Sequence, residues 1–198
     1  VIAFQLDHSD SQVLITDIGF SRTVKSAIDL AVSSPWIIDY EDIQSPQLGG
    51  ERLGNHDYEE LVLEGDENFK WLMPDDEWNA IAVNYTSGTT GNPKAVRHSH
   101  NTLAKALDNG VIAWGLDERD MMLMPSPVTH VTGYVNGIEL PFFTDTKVLL
   151  MESWVVSRAV ELIETHQATT CVSATPFLRE LVDACQEQGK NLPSFRLF

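Results

Sequence analysis

The sequence has little cysteine and little positive charge, and it has no long apolar run. Its two cysteines, Cys171 and Cys185, lack the CxxC spacing of a metal or redox motif. We expect both to be reduced, buried thiols of a cytoplasmic protein. With 13 Lys and Arg against 29 Asp and Glu, the net charge is −16, which argues against nucleic acid and anionic membrane surfaces as partners. No apolar stretch approaches the ~20 residues of a transmembrane segment.

The sequence does contain an alternation of strand and helix patterns. Short apolar runs alternate with longer segments in which apolar residues recur at helical spacing. We predict strands over 13–16, 36–39, 81–85, 121–124, 147–151 and 168–173, and helices over 20–32, 58–63, 100–114, 155–166 and 176–188. Repeated strand–helix units with apolar strands favour an α/β fold with mainly parallel sheets and flanking helices. A surface loop is predicted over 44–56, where Pro and Gly are frequent.

The most informative segment is the loop over residues 86–94, Thr-Ser-Gly-Thr-Thr-Gly-Asn-Pro-Lys. Its backbone N–H groups and hydroxyls can bind an anion, and Gly88 and Gly91 lack the Cβ atoms that would block close approach of a phosphate. It is not a Walker A loop, because an Asn-Pro dipeptide separates the last glycine from the lysine. No Asp or Glu occurs from 79 to 107. We therefore predict a polyphosphate site in this locally basic stretch of an acidic chain.

Residues 83–94 resemble, at every position, the phosphate-loop signature of the AMP-forming acyl-adenylating enzymes. This family includes acyl-CoA synthetases, luciferase-like enzymes and the adenylation domains of peptide synthetases. Two further segments are similar to parts of the family that border the acyl pocket: 125–133, Pro-Ser-Pro-Val-Thr-His-Val-Thr-Gly, and 174–176, Ala-Thr-Pro. A weaker similarity over 50–78 points to acyl-CoA synthetases that take fatty or cyclic carboxylic acids.

The resemblance implies an enzyme that uses ATP to activate a carboxylic acid and then transfers the acyl group to CoA, releasing AMP and pyrophosphate. It implies catalytic roles for Lys94 and Thr89. The residues implied to bind the ATP phosphates are Thr86, Ser87, Gly88, Thr89, Thr90, Gly91 and Lys94. The residues implied to line the acyl pocket are His130, Thr132, Gly133, Ala174, Thr175 and Pro176. Mg²⁺ is the implied metal, and no ligand for it is assigned within the chain.

In this family the matching region is part of a large N-terminal domain. We therefore expect residues 1–198 to be a partial AMP-binding domain, cut at both ends, without the C-terminal domain and inactive alone. The expected partners are the acid, ATP and CoA, with a homodimer allowed and nucleic acid excluded.

Four points stay open. His130 could be a structural histidine in the core rather than a wall of the pocket. Thr129 stands where the family more often has an aromatic residue or a second histidine, so the size of the acid is undefined. The acceptor could differ from CoA, as in luciferase-like or peptide-synthetase domains, although the absence of Asp from 131–140 favours simple acids. The loop could also belong to a non-enzymatic nucleotide-binding domain.

Overall fold

The structure, a computed structural model, describes residues 1–42, 49–86 and 91–198. The chain divides into two compact units. The first unit comprises Val1–Pro74 with Tyr85–Ala95, and the second unit comprises Asp75–Asn84 with Val96–Phe198. Each unit contains a parallel sheet and helices, so the predicted α/β class is confirmed.

The first unit is built around a three-stranded parallel sheet. Its elements are α1 (Ile2–His8), β1 (Val13–Asp17), α2 (Ser21–Ile28), β2 (Trp36–Tyr40), β3 (His56–Asp57) and α3 (Tyr58–Leu63). The strands pair in the order β1-β2-β3, and Val13 lies opposite Trp36. A 3₁₀ turn, Ile18–Phe20, leads from β1 into α2.

A buried carboxylate ties the chain after β2 to this sheet. Asp39 is 1% exposed, and it accepts hydrogen bonds from the backbone N–H of Leu53 at 3.1 Å and of Gly54 at 2.9 Å. A buried carboxylate requires such donors, so the two bonds fix the end of the predicted loop 44–56. Residues 43–48 of that loop lie outside the described residues.

The predicted helix over 100–114 is confirmed, and Ser99 caps it. β4 (Ala80–Thr86) pairs with β5 (Lys94–Ser99), and α4 (His100–Trp114) follows β5 directly. The Ser99 hydroxyl accepts from the Thr102 N–H at 3.3 Å, and the Thr102 hydroxyl accepts from the Ser99 N–H at 2.9 Å. This reciprocal cap satisfies backbone donors that the first turn of a helix leaves without partners.

A second parallel sheet has β6 as its central strand. The elements after α4 are β6 (Met121–Met124), α5 (Val131–Gly133), a π-helical turn (Tyr134–Glu139), α6 (Leu140–Thr144), β7 (Lys147–Leu150), α7 (Val156–His166), β8 (Thr170–Cys171) and α8 (Thr175–Gln188). The strand order is β7-β6-β8. We call residues 131–144 the π-containing helical segment.

Successive residues of β6 are buried in two different hydrophobic clusters, because side chains alternate across a strand. Met122 and Met124 pack with residues of α4 and α6, including Leu107 and Leu140. Leu123 packs instead with residues of α7 and α8. The methionines are therefore packing residues.

Other predicted elements differ from the observed ones. The predicted helix 20–32 ends at Ile28, because Leu30 and Val32 are 79% and 92% exposed and offer no buried face to continue it. The predicted strand 168–173 is reduced to Thr170–Cys171. Neither α1 nor the π-containing helical segment is predicted from the sequence. The second cysteine is only partly buried, whereas Cys171 is buried as predicted.

Asp120, just before β6, is the centre of a polar cluster in the second unit. Its carboxylate is buried, and it accepts from the Arg196 guanidinium at 2.7 and 3.1 Å and from the Thr169 hydroxyl at 2.6 Å. Burial raises the pKa of Asp120, but the bonds from Arg196 and Thr169 outweigh it and hold this pKa below its ordinary value of 3.8. The same guanidinium donates to the carbonyl oxygens of Trp114 and Gly115 at the end of α4.

Asp120→Asn should lower the free energy of unfolding of the second unit by roughly 1–2 kcal/mol, because the buried carboxylate loses its charge and one acceptor while its partner Arg196 is 43% exposed. The loss should be complete above the unfolded pKa of about 3.8 and should shrink as the pH falls below it, since the folded pKa of Asp120 is lowered. Thermal denaturation of the full-length protein at several pH values measures both effects.

Arg119→Met is the matched control, because Arg119 is 84% exposed and its ion pair with Asp117 lies on the surface. Its effect should be near zero. Equal destabilisation by both substitutions would contradict the central role of Asp120.

Candidate active site

The predicted phosphate loop, residues 86–94, connects two strands. β4 ends at Thr86 and β5 begins at Lys94, and the Thr86 hydroxyl donates to the Lys94 carbonyl at 3.5 Å. Gly91 has φ of +96°, a left-handed conformation that L side chains rarely adopt, so glycine is required there by the backbone. The predicted phosphate ligands Ser87, Gly88, Thr89 and Thr90 lie outside the described residues.

Lys94 carries the positive charge of this loop. Its side chain is exposed, and within the ranges 1–42, 49–86 and 91–198 none of the ion pairs includes it. An exposed ammonium at the start of a strand, directly after a loop rich in donors, is available to an anionic ligand.

The strand that precedes the loop is anchored by α1, which the sequence reasoning missed. The Tyr85 hydroxyl lies 2.8 Å from Nδ1 of His8, and the rings of Phe4 and Tyr85 meet edge to face at 6.4 Å. These contacts hold β4 one residue before its end at Thr86. The spacing of Ile2 and Leu6, one helical turn apart, is the signal that could have predicted this helix.

The structure brings the two predicted acyl-pocket segments together. One follows the carboxyl end of β6 and the other follows that of β8, and these strands are parallel neighbours. The hydroxyl oxygen of Ser126, in the first segment, is 3.1 Å from that of Ser173, the residue directly before the second segment. In open α/β sheets, ligands bind outside the carboxyl ends of the strands, which is where these segments meet.

Gly133 is required at its position by space. A Cβ atom there would lie 2.2 Å from the Pro127 carbonyl oxygen and 2.6 Å from that of Ser126. Any side chain at 133 would therefore push α5 away from the turn after β6. The glycine of the predicted motif thus sets how closely the segment folds back on itself.

His130 is exposed, so the alternative of a core histidine is wrong. It caps α5: Nδ1 accepts from the Thr132 N–H at 3.2 Å. Because Nδ1 is an acceptor, the proton of the neutral ring is on Nε2. The imidazole therefore offers a hydrogen-bond donor on its exposed side, as recognition of a carboxylate or carbonyl oxygen requires.

The segment Ala174-Thr175-Pro176 forms the start of α8. Ala174 is the residue before the helix, and Pro176 lies in its first turn, where a missing N–H costs nothing. All three residues are exposed. Thr175 lines a cleft of about 280 Å³, and Thr132 lines another cleft of about 280 Å³. Trp114, which the sequence analysis did not identify, lines both.

Three further observations concern a metal site, the reactivity of Cys171 and membrane-spanning helices. Among the described residues, no group of three or more His, Cys, Asp or Glu side chains is arranged to hold a metal ion. Burial raises the pKa of the Cys171 thiol to about 12, so this thiol is unreactive at neutral pH. Within the same residues, no helix combines the length and apolar character needed to cross a membrane.

Curated relatives of the chain include CoA ligases. It is 30% identical over 198 residues to the peroxisomal acetate/butyrate–CoA ligase AAE7 of Arabidopsis thaliana, covering 94% of this chain and 34% of that protein. It is 31% identical over 117 residues to the medium-chain fatty-acid–CoA ligase of Escherichia coli strain K12, covering 59% of this chain and 21% of that protein. The chain thus spans about a third or less of the length of these relatives.

A solved structure has the same fold. The O-succinylbenzoate CoA synthetase MenE of Bacillus subtilis, in complex with ATP and magnesium ion, superposes with a TM-score of 0.75 at 22% identity, covering 98% of this chain and 35% of that one. The sequence also matches the AMP-binding enzyme family over residues 1–198. The family predicted from the loop and the two pocket segments is therefore confirmed, and the chain belongs to the AMP-binding enzymes.

Proposed function

We propose that this chain is part of an enzyme that activates a carboxylic acid with ATP and transfers the acyl group to CoA. The observation that carries the proposal is the meeting of the two pocket segments at the carboxyl ends of β6 and β8, marked by the 3.1 Å contact of Ser126 and Ser173. Membership of the AMP-binding family and the CoA-ligase relatives support it.

In the first half-reaction, a carboxylate oxygen attacks the α-phosphorus of ATP. The bond to the bridging oxygen breaks, and pyrophosphate leaves with its electron pair, which gives an acyl-adenylate. Negative charge gathers on the phosphate oxygens, so positioned donors are the main catalytic device. In the second half-reaction, the CoA thiolate attacks the acyl carbon and AMP leaves.

The donors for the first half-reaction come from the 86–94 loop. We assign hydroxyls of Thr86, Ser87, Thr89 and Thr90 and backbone amides of Gly88 and Gly91 to the phosphates. Lys94, exposed and outside the described ion pairs, supplies its charge to the β- and γ-phosphates. Its position at the start of β5 places that charge at the end of the loop.

His130, Thr132 and Gly133 form one wall of the proposed acid site, and Ala174, Thr175 and Pro176 form the other. The Nε2–H of His130 is oriented by the bond at Nδ1 and donates to the acid. Relatives that act on acetate, butyrate and medium-chain fatty acids by name support an aliphatic acid. Because no described cluster fits a metal ion, no step is assigned to Mg²⁺.

The compartment and the assembly state belong to this proposal too. The reduced cysteines favour the cytoplasm, whereas the Arabidopsis relative is peroxisomal by name. A homodimer stays a prediction from the sequence.

ATP–pyrophosphate exchange by the full-length protein, with a panel of carboxylic acids, tests the proposal. Acid-dependent exchange followed by thioester formation with CoA is expected. Exchange without thioester would favour another acceptor, as in luciferase-like enzymes. Absence of exchange with every acid would leave a non-enzymatic nucleotide-binding domain.

Lys94→Ala in the full-length protein should slow acid-dependent exchange by roughly 10²–10³-fold, because one donor to the departing pyrophosphate is lost. Thioester formation from preformed acyl-adenylate should slow much less, since no pyrophosphate leaves in that step. Thr89→Val should show the same division between the half-reactions.

Lys105→Ala is the control for Lys94→Ala, because Lys105 is also exposed in the acid-free stretch but pairs with Asp108 on the surface of α4. It should leave both half-reactions unchanged. Equal slowing of both half-reactions by Lys94→Ala would exclude its assignment to pyrophosphate.

His130→Ala should alter the relative kcat/KM among acids of different bulk by about tenfold, while KM for ATP stays nearly constant. His130→Asn separates two roles, since Asn keeps an N-cap acceptor for α5 but not the imidazole. Steady-state kinetics over the acid panel, with Tm for each variant, measures the outcome. An unchanged acid profile with lowered Tm would indicate a purely structural histidine.

A further inference from the structure

Trp114, the last residue of α4, is a wall shared by two clefts of the second unit. The first, which we call the helix cleft, lies between α4 and the π-containing helical segment and includes Thr132. The second, the strand-end cleft, lies beyond β8 and includes Ser173 and Thr175. Each has a volume of about 280 Å³. Trp114 therefore lines both spaces, and each space contains a residue of the proposed acid site, Thr132 in the first and Thr175 in the second.

The helix cleft suits an aliphatic chain. Apart from Thr132 and Asn136 its lining is apolar, and the Asn136 amide already donates to the Thr132 carbonyl at 2.9 Å. Thr132 is two residues from His130, so the polar head of an acid at His130 has this apolar space beside it. A volume near 280 Å³ is at the lower limit of small-molecule pockets, which favours a short or medium chain.

Gly110 controls the position of the indole. It lies one helical turn before Trp114, and a Cβ atom on Gly110 would be 3.2 Å from Cζ3 of Trp114. Glycine is disfavoured inside a helix, so its presence at 110 has a packing reason: the six-membered ring of Trp114 occupies the space that a side chain would take. Both residues line the helix cleft.

We propose that Trp114, positioned by Gly110, sets the length of the acyl group that the enzyme accepts. The indole closes the helix cleft and divides it from the strand-end cleft, so a chain that enters from the His130 side ends against it. This inference rests on the proposed acid activation. It adds Trp114 and Gly110 as the residues that limit the length of the acyl chain.

Two substitutions should move the acid preference in opposite directions. Trp114→Ala joins the clefts, and the kcat/KM ratio of decanoate to butyrate should rise at least about tenfold. Gly110→Ala pushes a methyl group against the indole and narrows the cleft, so the same ratio should fall. Trp114→Phe, which keeps a smaller aromatic wall, should lie between Trp114→Ala and wild type. Acid-dependent ATP–pyrophosphate exchange by the full-length protein, with straight-chain acids from acetate to dodecanoate, measures the profile.

Trp154→Ala is the matched control. Trp154 is also half-buried in the second unit, but it packs on Phe177 and donates to Glu180, and it lines neither cleft. Its loss should change Tm without changing the chain-length profile. If Trp114→Ala does not fold, Gly110→Ala and Trp114→Phe decide, because alanine is the better helix former at 110.

The outcomes separate the two proposals. If the wild-type protein catalyses exchange but no Trp114 or Gly110 variant alters the chain-length profile, this inference is overturned. The proposed function would stay intact in that case. A shift of the same size in Trp154→Ala would overturn it as well. Absence of exchange by the wild-type protein with every acid would overturn the proposed function and this inference together.

Discussion

The bond between Asp120 and Arg196 is the interaction on which the second unit depends. Through Thr169 it joins the segments that enter β6 and β8, and through the Trp114 carbonyl it holds the end of α4. All these contacts are at the amino ends of the parallel strands. Because a strand is stiff, fixing its amino end also fixes the position of its carboxyl end. The pocket segments begin at those carboxyl ends. The proposed acid site is thus aligned from the opposite edge of the sheet.

Arg196 and Gly110 each place a constraint on Trp114. Its backbone carbonyl is bound by Arg196, and its ring rests in the space above Gly110. A tryptophan at the free end of a helix would otherwise have several rotamers available. Contacts to both its main chain and its ring limit how far the proposed wall can move, and a wall held in place discriminates chain length better than a mobile one.

Local patterns were sufficient to predict the elements whose stability is local. α4 has its own cap at Ser99 and its own apolar face, and β6 is a short apolar run, so both have the predicted bounds. The π-containing helical segment was missed because glycines and a proline disfavour a helix. Tertiary packing overrides that propensity: a Cβ on Gly137 would be 3.1 Å from Met124. For the same reason Trp114 has no sequence signal, since its role arises from how α4 packs on later elements.

Glycine is required at the two motif positions of the site for different physical reasons, and a D-amino acid would distinguish these reasons. Gly91 has open space around it but a positive φ, so a D-alanine would fit there while an L-alanine would be strained. Gly133 has an ordinary right-handed φ of −67°, and an L-alanine fails there only because two carbonyl oxygens occupy its volume. The predicted phosphate loop thus requires its glycine because of backbone handedness, whereas the proposed acid wall requires its glycine because of limited space. A mirror-image residue would be accepted by the first and would add strain to the second.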